Sequence, residues 1–329
     1  MHFPIRSGVF SRVTDYVKAV DGVSFDIYTG ETLGLAGESG CGKTTVGRSV
    51  LRLVDGVTGE AYYEDSPNLL TLSQGEMRPY RKHLQIIFQD PFSSLNPRLT
   101  VASTLIEPLT IFGIGKNRRE RRDRAVEILE EVGLSSAHLD RYPHEFSGGQ
   151  RQRIGVARAL TVEPKLIICD EAVSALDVSV QAQIINLLMD LRRKRGLSFL
   201  FISHDLSVVE HISNRVAIMY LGKLVEIADK KDIYRNPLHP YTRALLEAAP
   251  IPDPSVKRER QLLAGDVPSP VNPPPGCSFH PRCPECFAPC SVEEPPLTQL
   301  EGRREVACHL HTHEASPLRS GVVAAIPGS

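Results

Sequence analysis

The chain has no apolar run long enough to cross a bilayer: its hydrophobic stretches are short and broken by charge or proline. That excludes a transmembrane helix. It has no excess of either charge, with 38 Lys and Arg against 39 Asp and Glu and a net charge of −1. The electrostatic case for a nucleic-acid partner or an anionic membrane surface is therefore missing. The opening Met1-His2-Phe3-Pro4-Ile5-Arg6 lacks the apolar core of a secretory signal. The expected location is the cytoplasm, and any membrane role falls to partner subunits. Cysteine is sparse, at seven residues, and in a cytoplasmic chain thiols suit metal or burial better than disulfides. Cys41 and Cys169 stand apart, and the other five lie between 277 and 308. A length of 329 residues, 41% hydrophobic and 23% charged, is ordinary for a globular protein. It allows one large domain with an appendage, or two domains.

What is present centres on Gly37-Glu38-Ser39-Gly40-Cys41-Gly42-Lys43-Thr44-Thr45, the G-x-x-x-x-G-K-[ST] phosphate loop. The apolar run Thr32–Ala36 predicts a buried strand entering it, and 45–51 predicts a helix leaving it. Its glycines let successive N–H groups face one point, and the helix N-terminus adds positive potential there. Lys43 would reach the β- and γ-phosphates, and the Thr44 hydroxyl would ligate Mg²⁺.

Residues 20–27 alternate apolar and polar before a turn at Gly30, predicting an exposed antiparallel strand. Leu84–Gln89 predicts a second buried strand with Gln89 at its carboxyl end, within reach of Mg²⁺ or the attacking water. By itself such a glutamine is ordinarily a solvated strand end. From 91 to about 143 the pattern turns helical, with Ala125, Ile128, Leu129 and Val132 on one face. The basic stretch 117–124 is interleaved with acids, which fits a solvated helix face. Ser147-Gly148-Gly149-Gln150 opens a helix as a second anion-binding nest, although a serine there is also a plain N-cap. Lys165–Glu171 predicts an apolar strand ending in two carboxylates: Asp170 to hold Mg²⁺ through water, Glu171 to polarise the hydrolytic water. Asp177 belongs to a turn into an amphipathic helix over about 180–195 with Gly196 as its stop. A strand over 198–203 then delivers His204 and Asp205 to the same sheet edge; the histidine is read as a γ-phosphate contact.

In this order the pieces resemble the nucleotide-binding subunit of an ABC transporter, over roughly residues 3 to 310. The resemblance implies an α/β fold: a P-loop (RecA-like) ATPase core with an antiparallel β-subdomain, an inserted helical subdomain near 90–160 and an irregular carboxyl-terminal extension. It implies a nucleotide-binding domain over 1–250 and an extension over 251–329, disordered after about 314. ATP would lie between two such domains, the phosphate loop of one facing the signature of the other. Glu171 would be the general base, His204 the γ-phosphate sensor, and Gln89 both a Mg²⁺ ligand and the link to a membrane subunit. The stretches 2–5, 88–98 and 142–146, with the tail 236–242 through Cys277, are similar to the oligopeptide/dipeptide importer branch and to its second, "F-type" ATPase. That branch also imports nickel chelates, glutathione and some oligosaccharides. The implied partners are a "D-type" ATPase or a second copy of this chain, two transmembrane permeases and an extracytoplasmic binding protein, with no nucleic acid. The rival from another class is a soluble ABC ATPase acting on DNA or ribosomes, which usually has fused nucleotide domains or long coiled-coil insertions. A third reading takes the tail as a nucleic-acid-binding or redox-sensing module.

Three departures from the family pattern stand out. The signature starts with Phe146 where leucine is commonest. Glu171 is followed by Ala172 where proline is usual, which removes a φ restraint. The aromatic that stacks on adenine would be Phe3, with two residues before it where the family has a strand; either an edge strand is lacking or the start lies upstream.

Cys277, Cys283, Cys290 and Cys308 are separated by five, six and seventeen residues in a Pro-rich stretch. Cys283 and Cys286 form the one C-x₂-C pair, so the spacing suits neither a zinc ribbon nor the common ferredoxin patterns. Some members of the resembling branch carry a [4Fe–4S] site at four such positions. Iron–sulfur, zinc and unliganded thiols all stay open, with Cys286 an extra thiol. His309, His311 and His313 offer alternative ligands or form a solvated tail.

Overall fold

A hairpin opens the chain in the computed structural model, which describes residues 1–7, 11–90, 92, 94–248 and 265–314. Strands β1 (His2–Ser7) and β2 (Arg12–Lys18) pair antiparallel, with Phe3 opposite Val17. Next come β3 (Thr32–Ala36), buried along its whole length, and α1 (Lys43–Val50). The chain continues through α2 (Gln74–His83), β4 (Leu84–Ile87), α3 (Val101–Ile111), α4 (Arg118–Glu131) and α5 (Gly148–Leu160). Then follow β5 (Leu166–Asp170), α6 (Val178–Arg195) and β6 (Ser198–Ile202). The last part holds α7 (Leu206–Ile212), β7 (Arg215–Tyr220), β8 (Lys223–Asp229), α8 (Lys230–Arg235), α9 (Pro240–Ala248), β9 (Thr298–Gln299) and β10 (Glu305–Val306).

Two units share these elements: one comprises 1–26, 33–71 and 204 onward, the other 27–32 and 72–203. In the second, β4, β5 and β6 run parallel, Leu84 beside Leu166 and Leu166 beside Ser198. The apolar sequence of β5 and β6 is what a parallel strand covered on both faces requires. The helices α3, α4 and α5 bury Leu105, Leu109, Ala125, Ile128, Leu129, Ile154 and Ala157. Their starts are chemically marked: the side chains of Thr100, Asn117 and Ser147 accept N–H groups of the first turn. The basic run at the start of α4 is exposed for the most part, and Arg122 pairs with Asp140 at 2.8 Å. Gly196 ends α6 at φ 64°, the left-handed stop its sequence calls for.

In the first unit β3 pairs parallel with β7, and β8, β10 and β9 follow antiparallel. Gly34 lets β3 pack against α7, because a Cβ there would meet Ser213 Oγ at 2.4 Å.

Two expectations differ from what is observed. Residues 20–27 form no strand, although half-buried and exposed positions still alternate along 21–28. Alternation reports an extended segment lying on a surface; a ladder partner is a separate requirement. The extension is irregular as expected but has more of a core than expected: β10 pairs with β8 and β9 with β10, and Phe279, Cys290 and Val306 are buried. Strands of two residues have no period to read. The disorder expected after 314 and the motif residues Pro91 and Ser93 lie outside the described residues.

Candidate nucleotide site

The phosphate loop leaves the carboxyl end of β3 and closes at the N-terminus of α1, whose cap is Gly42. At Gly37 (φ 153°) a Cβ would meet Met219 O at 2.1 Å, and at Gly42 (φ 105°) it would meet Ala19 O at 1.9 Å. Only glycine fits either position. Lys43 is 4% exposed, and its Nζ donates to Gly37 O at 2.8 Å and Glu38 O at 2.9 Å. The ammonium is thus held inside its own loop by carbonyls that a polyphosphate oxygen can outbid, since charged acceptors make the stronger bond. Cys41 Sγ lies 3.7 Å from that ammonium; burial pushes the thiol up, and Lys43 works against the shift. Ser39 and Gly40 are exposed at the loop's rim, with Thr44 and Thr45 half-buried on α1. Phe3 is half-buried in β1.

The other unit carries the acids. Asp170 ends β5 with no exposed surface, beside a Cys169 thiol pushed far up by burial. Glu171 follows at φ 48°, a left-handed conformation costly for a side chain with a Cβ. Hydrogen bonds hold it there. Its N–H donates to Ile202 O at 3.1 Å, and its carbonyl accepts the N–H and the hydroxyl of Ser174 at 3.1 and 3.0 Å. This turn needs no proline at Ala172, which is buried. Gln89, two residues past β4, donates from Nε2 to Glu171 Oε2 at 2.8 Å.

Ser147 is exposed at the N-cap of α5, its Oγ accepting the Gln150 N–H at 3.4 Å while Gln150 Oε1 accepts the Ser147 N–H at 3.1 Å. Gly148 and Gly149 form the helix's first turn, and a Cβ at Gly149 would meet Val180 Cγ1 at 2.4 Å. The glycines here make room for α6. Asp177 is exposed at the N-cap of α6, and His204 is exposed just ahead of Asp205, whose Oδ1 caps α7 by accepting the Ser207 N–H at 2.9 Å.

In the extension, Cys277, Cys283, Cys290 and Cys308 line one small cavity, together with His239, Phe279 and His309. Cys286 is exposed and takes no part in that lining. Burial pushes Cys283 and Cys308 up to about 11 each. Among the described residues no three His, Cys, Asp or Glu side chains are placed to hold a metal ion. The sequence-based iron–sulfur expectation therefore rests on the shared cavity alone. No described helix is long and apolar enough to cross a membrane.

Relatives of known type are similar to this chain in sequence over nearly its whole length. The chain is 51% identical over 315 residues to the probable peptide ABC transporter ATP-binding protein y4tS of Sinorhizobium fredii, covering 96% of this chain and 89% of that one. It is 53% identical to the oligopeptide transport ATP-binding protein AppF of Bacillus subtilis, covering 94% and 95%. The chain belongs to the ABC transporter family. As an ABC ATPase it matches the family description "ABC transporter" over residues 20–174, and "Oligopeptide/dipeptide transporter, C-terminal region" over 225–290. The ATP-binding cassette MJ0796, solved as a dimer bound to ADP and Pi, superposes with a TM-score of 0.61 at 28% identity, covering 70% of this chain and 96% of that one. The fold is that of an ABC ATPase, and its reaction is the hydrolysis of ATP.

Two residues escaped the sequence reading of this ABC ATPase. Tyr241 and Arg282 both contact Glu38 of the phosphate loop, from 203 and 244 residues away. No spacing marks them, although an Arg beside Cys283 in a Pro-rich stretch is a signal of sorts: such a charge seeks a partner when buried.

Proposed function

We propose that this chain is the ATP-hydrolysing subunit of an importer of di- or oligopeptides, acting peripherally at the cytoplasmic face of the membrane. The observation that carries the cargo is the set of relatives at 51–55% identity over 90–96% of this chain, all named for peptide or oligopeptide transport. The match of 225–290 to the C-terminal region of such transporters supports it. Nothing favours the nickel, glutathione, oligosaccharide, DNA or ribosome alternatives.

Glu171 serves as general base for the attacking water, with Gln89 orienting its carboxylate. The loop 37–45 binds the phosphates, Lys43 turning from its own carbonyls to the β- and γ-oxygens, and His204 contacts the γ-phosphate. Thr44, Gln89 and Asp170 would hold Mg²⁺; oxygen donors suit a hard cation, and the buried carboxylate of Asp170 is the anionic one. Bound there, the ion neutralises charge on the β- and γ-phosphates. The exposed signature Ser147-Gly148-Gly149-Gln150 serves the nucleotide of a partner ATPase, a D-type subunit or a second copy, with Asp177 beside that junction and Phe3 against adenine. Two permeases dock near Gln89, and an extracytoplasmic binding protein supplies the cargo. For Cys277, Cys283, Cys290 and Cys308, with Cys286 left out, a [4Fe–4S] cluster stays one reading beside zinc and unliganded thiols; soft thiols lining one cavity support it, although the described side chains are not placed to hold a metal ion.

The test is reconstitution with candidate permeases and partner ATPase in lipid discs. Peptide-loaded binding protein should raise ATP hydrolysis several-fold, and a nickel chelate or oligosaccharide should not. Stimulation by either of the latter would reassign the cargo. Full activity of this chain alone at high dilution would remove the partnered site. For the cluster, an anaerobic preparation should be brown with iron and sulfide in equal amounts. A colourless protein with stoichiometric zinc would replace it.

A further inference from the structure

Glu38 puts a carboxylate on the second residue of a loop whose task is to bind an anion, and the structure holds that residue from two sides. Its backbone N–H donates to Tyr241 Oη at 3.0 Å. Its side chain meets the Arg282 guanidinium as a two-pronged pair, Nη1 to Oε2 at 3.0 Å and Nη2 to Oε1 at 3.2 Å. Arg282 is 9% exposed and also reaches Tyr220 Oη at 3.4 Å. Behind it Tyr220, Tyr241 and Phe279 pack with ring centroids 4.7 to 5.4 Å apart. Arg282 ends a 3₁₀ turn directly before Cys283. The segment lining the cysteine cavity thus has one of its own residues fastened to the phosphate loop.

The consequence follows from charge and geometry. A free carboxylate at position 38 would repel a polyphosphate, and a forked guanidinium cancels that charge while fixing its direction. The same fork holds the loop's entry still, so less ordering is left for the nucleotide to impose.

We propose that Arg282 is a positioning residue for the phosphate loop, and that through its pair with Glu38 the order of segment 277–290 and the binding of ATP reinforce each other. The inference rests on the phosphate loop being the nucleotide site. Coupling of this kind is reciprocal: an ordered segment tightens ATP binding, and bound ATP steadies the segment by the same factor.

The experiment uses the full chain, measuring MgATP affinity by titration and backbone hydrogen exchange of 277–290 with and without MgATP. Arg282→Ala should weaken ATP about tenfold, inside the 5- to 150-fold span usual for coupled sites. Arg282→Lys should lose less. Adding Glu38→Gln to Arg282→Ala should recover most of the loss, which a mere strut for the extension would not allow. MgATP should slow exchange of 277–290 in the wild type and leave it unchanged in Glu38→Gln, a variant that breaks the pair without touching the extension. Wild-type ATP affinity in Arg282→Ala, absence of rescue in the double variant, or no effect of ATP on exchange in the wild type would each overturn the proposal. Lys43→Ala separates the two readings: if it binds ATP normally, the phosphate loop is not the site, whatever Arg282 does.

Discussion

Gln89 and Glu171, 82 residues apart, are joined by a 2.8 Å hydrogen bond from amide to carboxylate. The bond ties the carboxyl end of β4 to that of the adjacent β5. A glutamine proposed to sense a membrane subunit thereby holds the group proposed to activate water. Movement of Gln89 would re-aim that carboxylate.

Glu171→Gln should keep ATP binding and lower turnover by about 10²- to 10⁴-fold, the range of general base catalysis, since an amide cannot take the water's proton. Gln89→Ala should cost less, because the carboxylate that takes the proton stays in place. Single-turnover hydrolysis in the assembled transporter measures both. Near-normal hydrolysis by the Glu171 variant would end its role as base.

Lys43→Ala should act earlier in the cycle. It removes a buried ammonium placed among loop carbonyls, so nucleotide affinity should fall before any chemical step is reached. A titration with MgATP checks this. An unchanged dissociation constant would mean that the loop 37–45 is not the nucleotide site.

Gly149→Ala should destabilise the second unit by about 1–3 kcal/mol. Its Cβ would sit 2.4 Å from Val180 Cγ1, a short and stiff side chain that cannot swing aside. Denaturant melts give the cost, and Val180→Ala in the same chain should return most of it. If the single variant melts like the wild type, α5 and α6 are less tightly packed than described.

Arg304→Met should loosen the extension. The Glu226 carboxylate is fully buried and accepts from Arg304 Nη2 at 3.0 Å as well as from the Leu238 and His239 N–H groups at 2.9 and 3.0 Å. Breaking such a pair from one side costs about 3–5 kcal/mol, reduced here by the two N–H groups that stay. Limited proteolysis should cut the extension sooner while ATP still binds. Unchanged protection would mean those two N–H groups suffice.

The local chemistry of this protein was legible in its sequence. Gly37 to Thr45 announces a phosphate loop, Ser147 an N-cap, and an apolar run ending in Asp170 and Glu171 a strand that delivers acids. Each is written in spacings of two to four residues, the distances at which backbone and side chain interact along one element. Even the buried face of α4 could be read this way, from Ala125, Ile128 and Leu129. Whatever links distant segments was not legible. Residues 20–27 have a strand's alternation and no ladder partner, while β9 and β10 pair in a ladder with two residues each. At Ala172, where the family has proline, the left-handed turn of Glu171 is held by hydrogen bonds to Ile202 and Ser174. That Gln89 meets Glu171 and that Arg282 meets Glu38 depended on folding. Such pairings arise where non-local packing brings two elements into register, and no periodicity in either element records its partner.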